Sequence, residues 1–291
     1  MSGQGGEKQP IDSSSEATEE IRLPVDEHVE EEVSSSGKRV RARGIYLLPN
    51  LVTTGALFSG FYAIVAGMSG HFESAAIAIF VAMVLDGLDG RVARLTDTQS
   101  AFGVQYDSLS DMVSFGLAPA LVVFSWALGN LGKFGWAIAF LYAACAALRL
   151  ARFNTQVDTV DKGVFIGLAS PTAAAIVASM VWAGHNAEVG PGLAIVAALV
   201  TAVSGLLMVS NFRYSSFKGL DFKGRVPFVM MLAVILIFSL IAIDPAGVLL
   251  TLAVLYTLSG PAMWLWNHFH RSSETDAVED DKVKADYKDQ H

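Results

Sequence analysis

Long stretches without a charged side chain dominate this sequence and restrict the folds that the chain can adopt. Six stretches of 18 to 29 residues contain no lysine, arginine, aspartate or glutamate. They cover residues 44–72, 112–132, 163–187, 189–212, 226–243 and 245–270. A bilayer core about 30 Å thick is crossed by roughly 20 apolar residues in a helix. Two more segments, roughly 73–94 and 134–157, carry charge only toward one end. The sequence therefore predicts an all-α integral membrane protein with about eight transmembrane helices.

The net charge of −8 comes from the two ends of the chain rather than from its apolar centre. Residues 1–36 contain ten acidic residues and residues 271–291 contain seven, whereas residues 37–270 contain 14 basic and 11 acidic residues. Both ends are polar and poor in aromatic residues, which is typical of disorder, and their acidity excludes a nucleic-acid-binding arm. The predicted parts are a disordered acidic tail (1–36), a basic juxtamembrane segment (37–47), a transmembrane catalytic domain (48–270) and a disordered cytoplasmic tail (271–291).

Basic residues mark one side of the predicted membrane domain. They stand before the first span, where Lys38 and Arg39 lie, at the end of the second, beyond the fourth and after the sixth. Lys133 is the only lysine or arginine in the intervening connections. Because lysine and arginine accumulate in cytoplasmic loops, we expect both termini on the cytoplasmic side, as eight spans require. Segment 37–47 is either a short helix held on anionic lipid or a plain positively charged flank.

Four carboxylates interrupt the apolar pattern near the cytoplasmic side. Asp86 and Asp89 lie toward the end of the second span, and Asp107 and Asp111 lie in the first turns of the third. Spacings of three and four residues place each pair on one face of a helix. The connection around residues 96–100 is short, so we expect the two helices to be antiparallel neighbours whose acidic faces meet.

These acidic side chains need a compensating charge. Unpaired and deep in a bilayer, the four would cost on the order of 10 kcal/mol, and Arg91 and Arg94 could neutralise at most two of them. Oxygen ligands suit Mg²⁺, Mn²⁺ or Ca²⁺ rather than Zn²⁺. Four carboxylates could hold two such ions about 4 Å apart, which is the arrangement that clamps a phosphoryl group during transfer.

Small residues accompany the acids. Gly87, Gly90, Ala93 and Gly103 keep the helix surfaces bare, which permits the close approach of a ligand or of a neighbouring helix. Arg94 is a natural partner for a phosphate group. The alternative interpretation is a buried salt-bridge cluster in which the glycines serve helix packing.

The residues from Asp86 to Asp111 form the pattern D-x-x-D-G-x-x-A-R-x8-G-x3-D-x3-D. This pattern resembles the signature of the CDP-alcohol phosphotransferase family, and every fixed position matches. The resemblance implies a membrane enzyme with a six-helix catalytic core, often a homodimer, and a site open to the cytoplasmic leaflet. Such an enzyme transfers a phosphatidyl or similar group from a CDP-linked donor to an alcohol and releases CMP.

The same resemblance implies roles for individual residues. Two divalent cations, Mg²⁺ or Mn²⁺ with Ca²⁺ as a further possible occupant, would be held by Asp86, Asp89, Asp107 and Asp111. The CDP-linked donor would be bound by Asp89, Gly90, Ala93, Arg94 and Gly103. The catalytic carboxylates would be Asp107 and Asp111, with Asp111 as the base for the acceptor hydroxyl. In an alternative that the residues leave open, a cation acidifies that hydroxyl instead.

Segments 147–154, 165–171 and 214–218 resemble the phosphatidylserine synthases of bacteria and archaea within that family. The resemblance implies CDP-diacylglycerol and L-serine as substrates, and the plasma (inner) membrane of a prokaryote as the location. Arg149 and Arg152, about one helical turn apart, can meet the carboxylate of serine. Further polar contacts to the acceptor would come from Asn154, Ser216 and Lys218.

Two alternatives remain at the level of the sequence. The same chemistry could serve glycerol 3-phosphate, inositol phosphate or choline as the acceptor. A divalent-cation transporter would use the four acids as an ion path, but a path needs polar groups through the whole membrane, and here the acids lie toward one side.

Overall fold

The computed structural model describes residues 47–95, 101–156, 164–215 and 228–266. The two predicted tails, residues 37–46, the connection 96–100 and the candidate residues Ser216 and Lys218 lie outside this part of the chain. Within it the chain is helical apart from two three-residue strands and short connections. The predicted all-α class is therefore confirmed.

Nine α-helices follow one another in the part of the chain that the structure describes. They are α1 (Leu47–Met68), α2 (Phe72–Leu95), α3 (Ala101–Asp111), α4 (Ala118–Trp126), α5 (Lys133–Gln156), α6 (Ser170–Gly184), α7 (Pro191–Val209), α8 (Phe228–Ile243) and α9 (Pro245–Trp266). A π-helix, Met112–Leu117, joins α3 directly to α4, and a 3₁₀-helix, Leu128–Leu131, precedes α5.

Five helical segments of the described ranges are long and apolar enough to cross a bilayer. They are Pro49–Met68, Phe102–Trp126, Lys133–Thr155, Pro191–Val209 and Pro245–Trp266. Of the other predicted spans, α2 has 24 residues but carries Asp86 and Asp89, while α6 and α8 have only 15 and 16 residues. Side chains such as Phe58, Phe140 and Leu199 are more than 60% exposed, which suits a lipid environment. The chain is an integral membrane protein, and eight spans with cytoplasmic termini stay a prediction.

Helix α1 is the central packing element for the acidic helices. It lies along α2 and also contacts α3, the π-helix and α4. A Cβ atom at Gly60 would lie 2.7 Å from the Cα atom of Ser114, and one at Gly67 would lie 2.9 Å from Cγ2 of Val122. Small residues allow such close approach of helices in membranes. Buried alanines line the same helices, namely Ala56, Ala63 and Ala66 on α1 and Ala75, Ala76, Ala78 and Ala82 on α2.

The π-helix begins at the residue after Asp111. Its buried Ser114 donates a hydrogen bond from Oγ to the carbonyl oxygen of Ala56 at 3.1 Å. One turn earlier, Ser110 donates to the carbonyl oxygen of Thr53 at 3.3 Å. Single π turns inside α-helices are often found at functional sites. Here the π turn lies between the acidic end of the span and its apolar half.

Two short strands form a ribbon between the helix connections. Strands β1 (Val164–Ile166) and β2 (Arg213–Ser215) pair in antiparallel fashion. The backbone N–H of Gly167 extends the pairing by donating to the carbonyl oxygen of Phe212 at 2.8 Å. Gly167 has a φ angle of +81°, which favours glycine, and a Cβ atom there would collide with the carbonyl oxygen of Met208. The ribbon thus ties the α5–α6 connection to the α7–α8 connection.

Candidate active site

Three of the four predicted carboxylates converge. Carboxylate oxygens of Asp86, Asp89 and Asp107 lie within 4.8 Å of one another. Asp86 and Asp89 come from one face of α2, and Asp107 comes from α3. The side chain of Asp89 is buried, while those of Asp86 and Asp107 are partly buried. The acidic faces of α2 and α3 therefore meet, as the spacing of the aspartates in the sequence predicts.

The fourth carboxylate, Asp111, lies beside this group rather than within it. Its carboxyl group is within hydrogen-bonding reach of the Asp86 carboxyl group. The guanidinium group of Arg149 on α5 interacts electrostatically with both Asp86 and Asp111. Arg149 therefore compensates part of the negative charge at the side of the cluster where Asp111 lies.

Helix α1 supplies a contact that the sequence did not predict. Thr53 donates a hydrogen bond from Oγ1 to Oδ2 of Asp89 at 2.6 Å, and both side chains are only 4% exposed. A short hydrogen bond to a carboxylate is a charge-assisted one. It fixes the orientation of Asp89. The one weak signal for this contact is a polar residue inside the apolar pattern of α1.

The chemistry of the cluster fits a divalent metal ion. One oxygen of Asp107, Oδ1, is buried without a hydrogen-bond partner among the described residues, although buried polar atoms are normally paired. All the converging ligands are carboxylate oxygens, which Mg²⁺, Mn²⁺ and Ca²⁺ prefer. The Asp cluster could therefore hold a divalent cation, whose charge would compensate the three converging carboxylates.

The glycines beside the acids face open space. A Cβ atom at Gly87 would meet no atom within 4 Å, and one at Gly90 would meet only the end of the Arg94 side chain, at 3.8 Å. These two glycines therefore do not serve helix packing among the described residues. Arg94 is exposed and donates from Nε to the carbonyl oxygen of Gly90 at 2.9 Å. Ala93, on the same turn, is partly buried.

The remaining donor-site candidate, Gly103, lies on α3 one turn before Asp107 and is partly buried. Gly87, Gly90, Ala93 and Arg94 thus lie together at the end of α2, whereas Gly103 lies on α3. The open space at Gly87 and Gly90 lies beside Arg94, whose guanidinium group can bind a phosphate, so a phosphorylated ligand can enter there.

The acceptor candidates on α5 reach partners in different elements. Arg149 donates from a terminal nitrogen to Oγ of Ser170 at 2.8 Å, and Arg152 donates to Oδ1 of Asn211 at 2.9 Å. Asn154 donates from Nδ2 to Oγ of Ser108 on α3 at 3.0 Å. The other two acceptor candidates, Ser216 and Lys218, lie outside the described residues.

Sequence reasoning assigned no role to Ser170 or Asn211, which hold these arginines. Ser170 is the first residue of α6 and is fully buried. Asn211 lies just before strand β2. A signal for Ser170 was present, because it belongs to segment 165–171, one of the three segments that resemble the phosphatidylserine synthases. No comparable signal pointed to Asn211.

Comparisons with known proteins show a family and several relatives. Residues 46–209 match a family described as CDP-alcohol phosphatidyltransferase. A CDP-diacylglycerol–serine O-phosphatidyltransferase of Helicobacter pylori is 36% identical over 225 residues, which cover 76% of this chain and 92% of the relative. An enzyme of the same name from Mycobacterium tuberculosis is 40% identical over 147 residues, covering 47% of this chain and 50% of the relative. An archaetidylserine synthase of Methanothermobacter thermautotrophicus is 34% identical over 175 residues, covering 60% and 71%.

Proposed function

The chain belongs to the CDP-alcohol phosphatidyltransferase family, and from this premise we propose that it is a CDP-diacylglycerol–serine O-phosphatidyltransferase. It transfers the phosphatidyl group of CDP-diacylglycerol to the hydroxyl group of L-serine, giving phosphatidylserine and CMP. The observation that carries this proposal is the convergence of Asp86, Asp89 and Asp107 beside open glycine surfaces. The serine acceptor rests on the Helicobacter relative, which matches over 92% of its own length.

Asp86, Asp89, Asp107 and Asp111 would hold the divalent cations, and we propose two ions, Mg²⁺ or Mn²⁺. When bound, such ions neutralise the pyrophosphate and stabilise the departing CMP. The partnerless Oδ1 atom of Asp107 and the all-oxygen ligand set support this assignment. The hydrogen bond from Thr53 holds Asp89 in a ligating orientation.

The donor is placed by the residues at the end of α2. Arg94 offers a guanidinium group to a phosphate oxygen, and Gly87 and Gly90 leave room for the nucleotide. Positioning of this kind is the main contribution of a protein to phosphoryl-type transfer, because the reacting oxygen and phosphorus must be held in line.

The proton of the acceptor passes to a carboxylate. The serine oxygen forms a bond to the phosphorus of the phosphatidyl group, and the bond from that phosphorus to the CMP oxygen breaks. Asp111 accepts the hydroxyl proton as general base. Its place beside Asp86 and Arg149, at the edge of the converging carboxylates, supports this role.

Arg149 and Arg152 bind the carboxylate of serine. An arginine presents several N–H donors in one plane and suits a carboxylate. Both arginines lie in the last two turns of α5, and Asn154 adds an amide group in the same region. This arrangement supports an acceptor site on the α5 side of the cluster and a donor site on the α2 side.

The proposed setting is the plasma (inner) membrane of a prokaryote, with the site facing the cytoplasm. The basic residues next to the spans support this orientation. Assembly as a homodimer, expected from the resemblance, stays a prediction that crosslinking in native membranes can test.

An acceptor panel tests the proposed function. Purified protein in detergent micelles receives CDP-diacylglycerol and Mn²⁺, and CMP release is measured with L-serine, glycerol 3-phosphate, inositol phosphate or choline. We expect release only with serine, together with formation of phosphatidylserine. CMP release that requires glycerol 3-phosphate and ignores serine would refute the acceptor assignment.

A further inference from the structure

The hydrogen-bond partners of the two acceptor arginines lie in the segments that flank the strands of the ribbon. Ser170, the partner of Arg149, lies four residues after the end of β1, and Asn211, the partner of Arg152, lies two residues before β2. A shift of the ribbon would therefore move both hydrogen-bond acceptors at once. The position of the two guanidinium groups depends on where the ribbon is held.

Helix α9 contacts the ribbon at strand β2. Tyr214, in the middle of β2, is only 1% exposed and donates from its hydroxyl group to the carbonyl oxygen of Thr257 at 3.2 Å. Its ring stacks on Tyr256 with the centroids 5.7 Å apart. A Cβ atom at Gly260 would lie 2.9 Å from the Tyr214 hydroxyl oxygen and would collide with the ring itself. Only glycine at 260 leaves the ring in its present place.

A second aromatic contact strengthens the attachment. Phe212, which flanks β2, packs edge-to-face against Trp264 with the ring centroids 5.7 Å apart. Burial, together with the neighbouring Tyr256, raises the pKa of the Tyr214 hydroxyl group to about 12. Tyr214 therefore stays protonated and able to donate throughout the physiological pH range.

The face of α9 toward the ribbon differs from its other faces. Ala253, Thr257 and Gly260 are buried and follow one another at spacings of four and three residues, which is one side of a helix. Leu255 and Leu258 on other sides are 61% and 58% exposed. A helix that served only as a lipid anchor would not need a glycine shaped to one aromatic ring.

We propose that α9 is a positioning element for the acceptor half of the site, and that Tyr214 and Gly260 are its positioning residues. This proposal rests on the proposed function, because it assigns the α5 arginines to serine. Helix α9 lies beyond residues 46–209, the part that matches the family description. It acts through a chain of contacts that runs from Tyr214 across the ribbon to Ser170 and Arg149.

Two variants test the proposal by kinetics. Tyr214→Phe removes the hydrogen bond to Thr257 and keeps the ring, and we expect the KM for serine to rise about threefold to tenfold. Gly260→Ala displaces the ring, and we expect a rise of tenfold or more. In both variants the KM for CDP-diacylglycerol should stay within about twofold of the wild type, because the donor side is held by α2 and α3.

Matched controls separate positioning from loss of structure. Thr257→Val removes a hydroxyl group that has no hydrogen-bond partner among the described residues and keeps the carbonyl oxygen that Tyr214 uses. Gly192→Ala adds a Cβ atom that would have no neighbouring atom within 4 Å. Both controls should leave the two KM values unchanged. In a Tyr214→Leu background, Gly260→Ala should have little further effect, because the ring with which it collides is gone.

The outcomes distinguish the two proposals. If the wild type releases no CMP with serine, the proposed function fails. If the wild type is active and Tyr214→Phe and Gly260→Ala keep a normal KM for serine, the positioning role fails while the function stands. Equal rises in both KM values would also refute it. Should Gly260→Ala not yield folded protein, Tyr214→Phe decides alone.

Discussion

Replacing Thr53 by valine removes one hydroxyl group and leaves the shape of the side chain nearly unchanged. In the wild type that hydroxyl group donates to Oδ2 of Asp89 at 2.6 Å, and both side chains are 4% exposed. Water can therefore not easily replace the lost donor. We expect the Thr53→Val variant to fold and insert but to hold Asp89 less firmly in the cluster.

The magnitude follows from the charge of the acceptor. A hydrogen bond to a charged group contributes about 1.5–3 kcal/mol, and about 1.4 kcal/mol corresponds to a factor of ten in an equilibrium constant. The concentration of Mn²⁺ that gives half-maximal CMP release should therefore rise by about 10- to 150-fold. Thr53→Ser retains the hydroxyl group and should stay within about threefold of the wild type.

A metal titration of serine-dependent CMP release in detergent micelles measures this effect. Thr201→Val is the matched control, because Thr201 is also buried but donates to the carbonyl oxygen of Ala197 in its own helix. The control should keep the wild-type metal dependence. If Thr53→Val titrates like the wild type, the hydrogen bond to Asp89 does not support metal binding, and the argument from α1 is wrong.

Three further changes probe the cluster and its surroundings. Asp107→Asn should lower CMP release by more than about 100-fold, beyond the loss typical of outer-shell residues, while the protein remains in the membrane fraction; near-normal turnover would contradict the metal assignment. Gly90→Val should raise the KM for CDP-diacylglycerol about tenfold or more without loss of folded yield, because open space there admits the donor; an unchanged KM would place the donor elsewhere. Gly60→Ala should destabilise the protein by about 1–3 kcal/mol through contact with Ser114, seen as a lower thermal midpoint in detergent than that of Gly192→Ala; equal midpoints would show that α1 can shift at no cost.

The acidic half of the site was predictable because it depends on local geometry. Spacings of three and four residues fix the faces of α2 and α3 whatever the rest of the chain does. The short connection between the helices then leaves few ways for the faces to lie apart. The meeting of Asp86, Asp89 and Asp107 needs no information from distant parts of the sequence.

The contribution of α1 was not predictable in the same way. Thr53 lies 36 residues from Asp89, and a threonine in an apolar helix is usually satisfied by the carbonyl oxygen one turn earlier. The Thr53 hydroxyl oxygen also lies 3.1 Å from the carbonyl oxygen of Pro49, so the same proton has two acceptors within reach, of which the Asp89 carboxylate is the nearer. Nothing in the sequence distinguishes it from Thr54, whose hydroxyl group lies 2.9 Å from that of Tyr106.

The ribbon was not predicted because its strands are too short to show a repeating pattern of apolar and polar side chains. Three residues on each strand provide no alternation of apolar and polar side chains. Gly167 alone indicates an irregular backbone in this region, because it is a glycine between strand β1 and the start of α6. The packing of Tyr214 against α9 joins parts of the chain 43 residues apart, so only the tertiary structure reveals it.

The π-helix has a consequence for the geometry of the apolar helical segment Phe102–Trp126. An α-helix turns by about 100° with each residue, whereas a π turn is wider and takes up an additional residue. The π turn thereby changes the direction in which Asp107 and Asp111 point relative to the residues of α4. Insertion or deletion of one residue within Met112–Leu117 would rotate the side chains of Asp107 and Asp111 about the helix axis by about 100° relative to α4. The length of this segment therefore sets the rotation of the acidic side chains on α3 relative to the apolar helix α4.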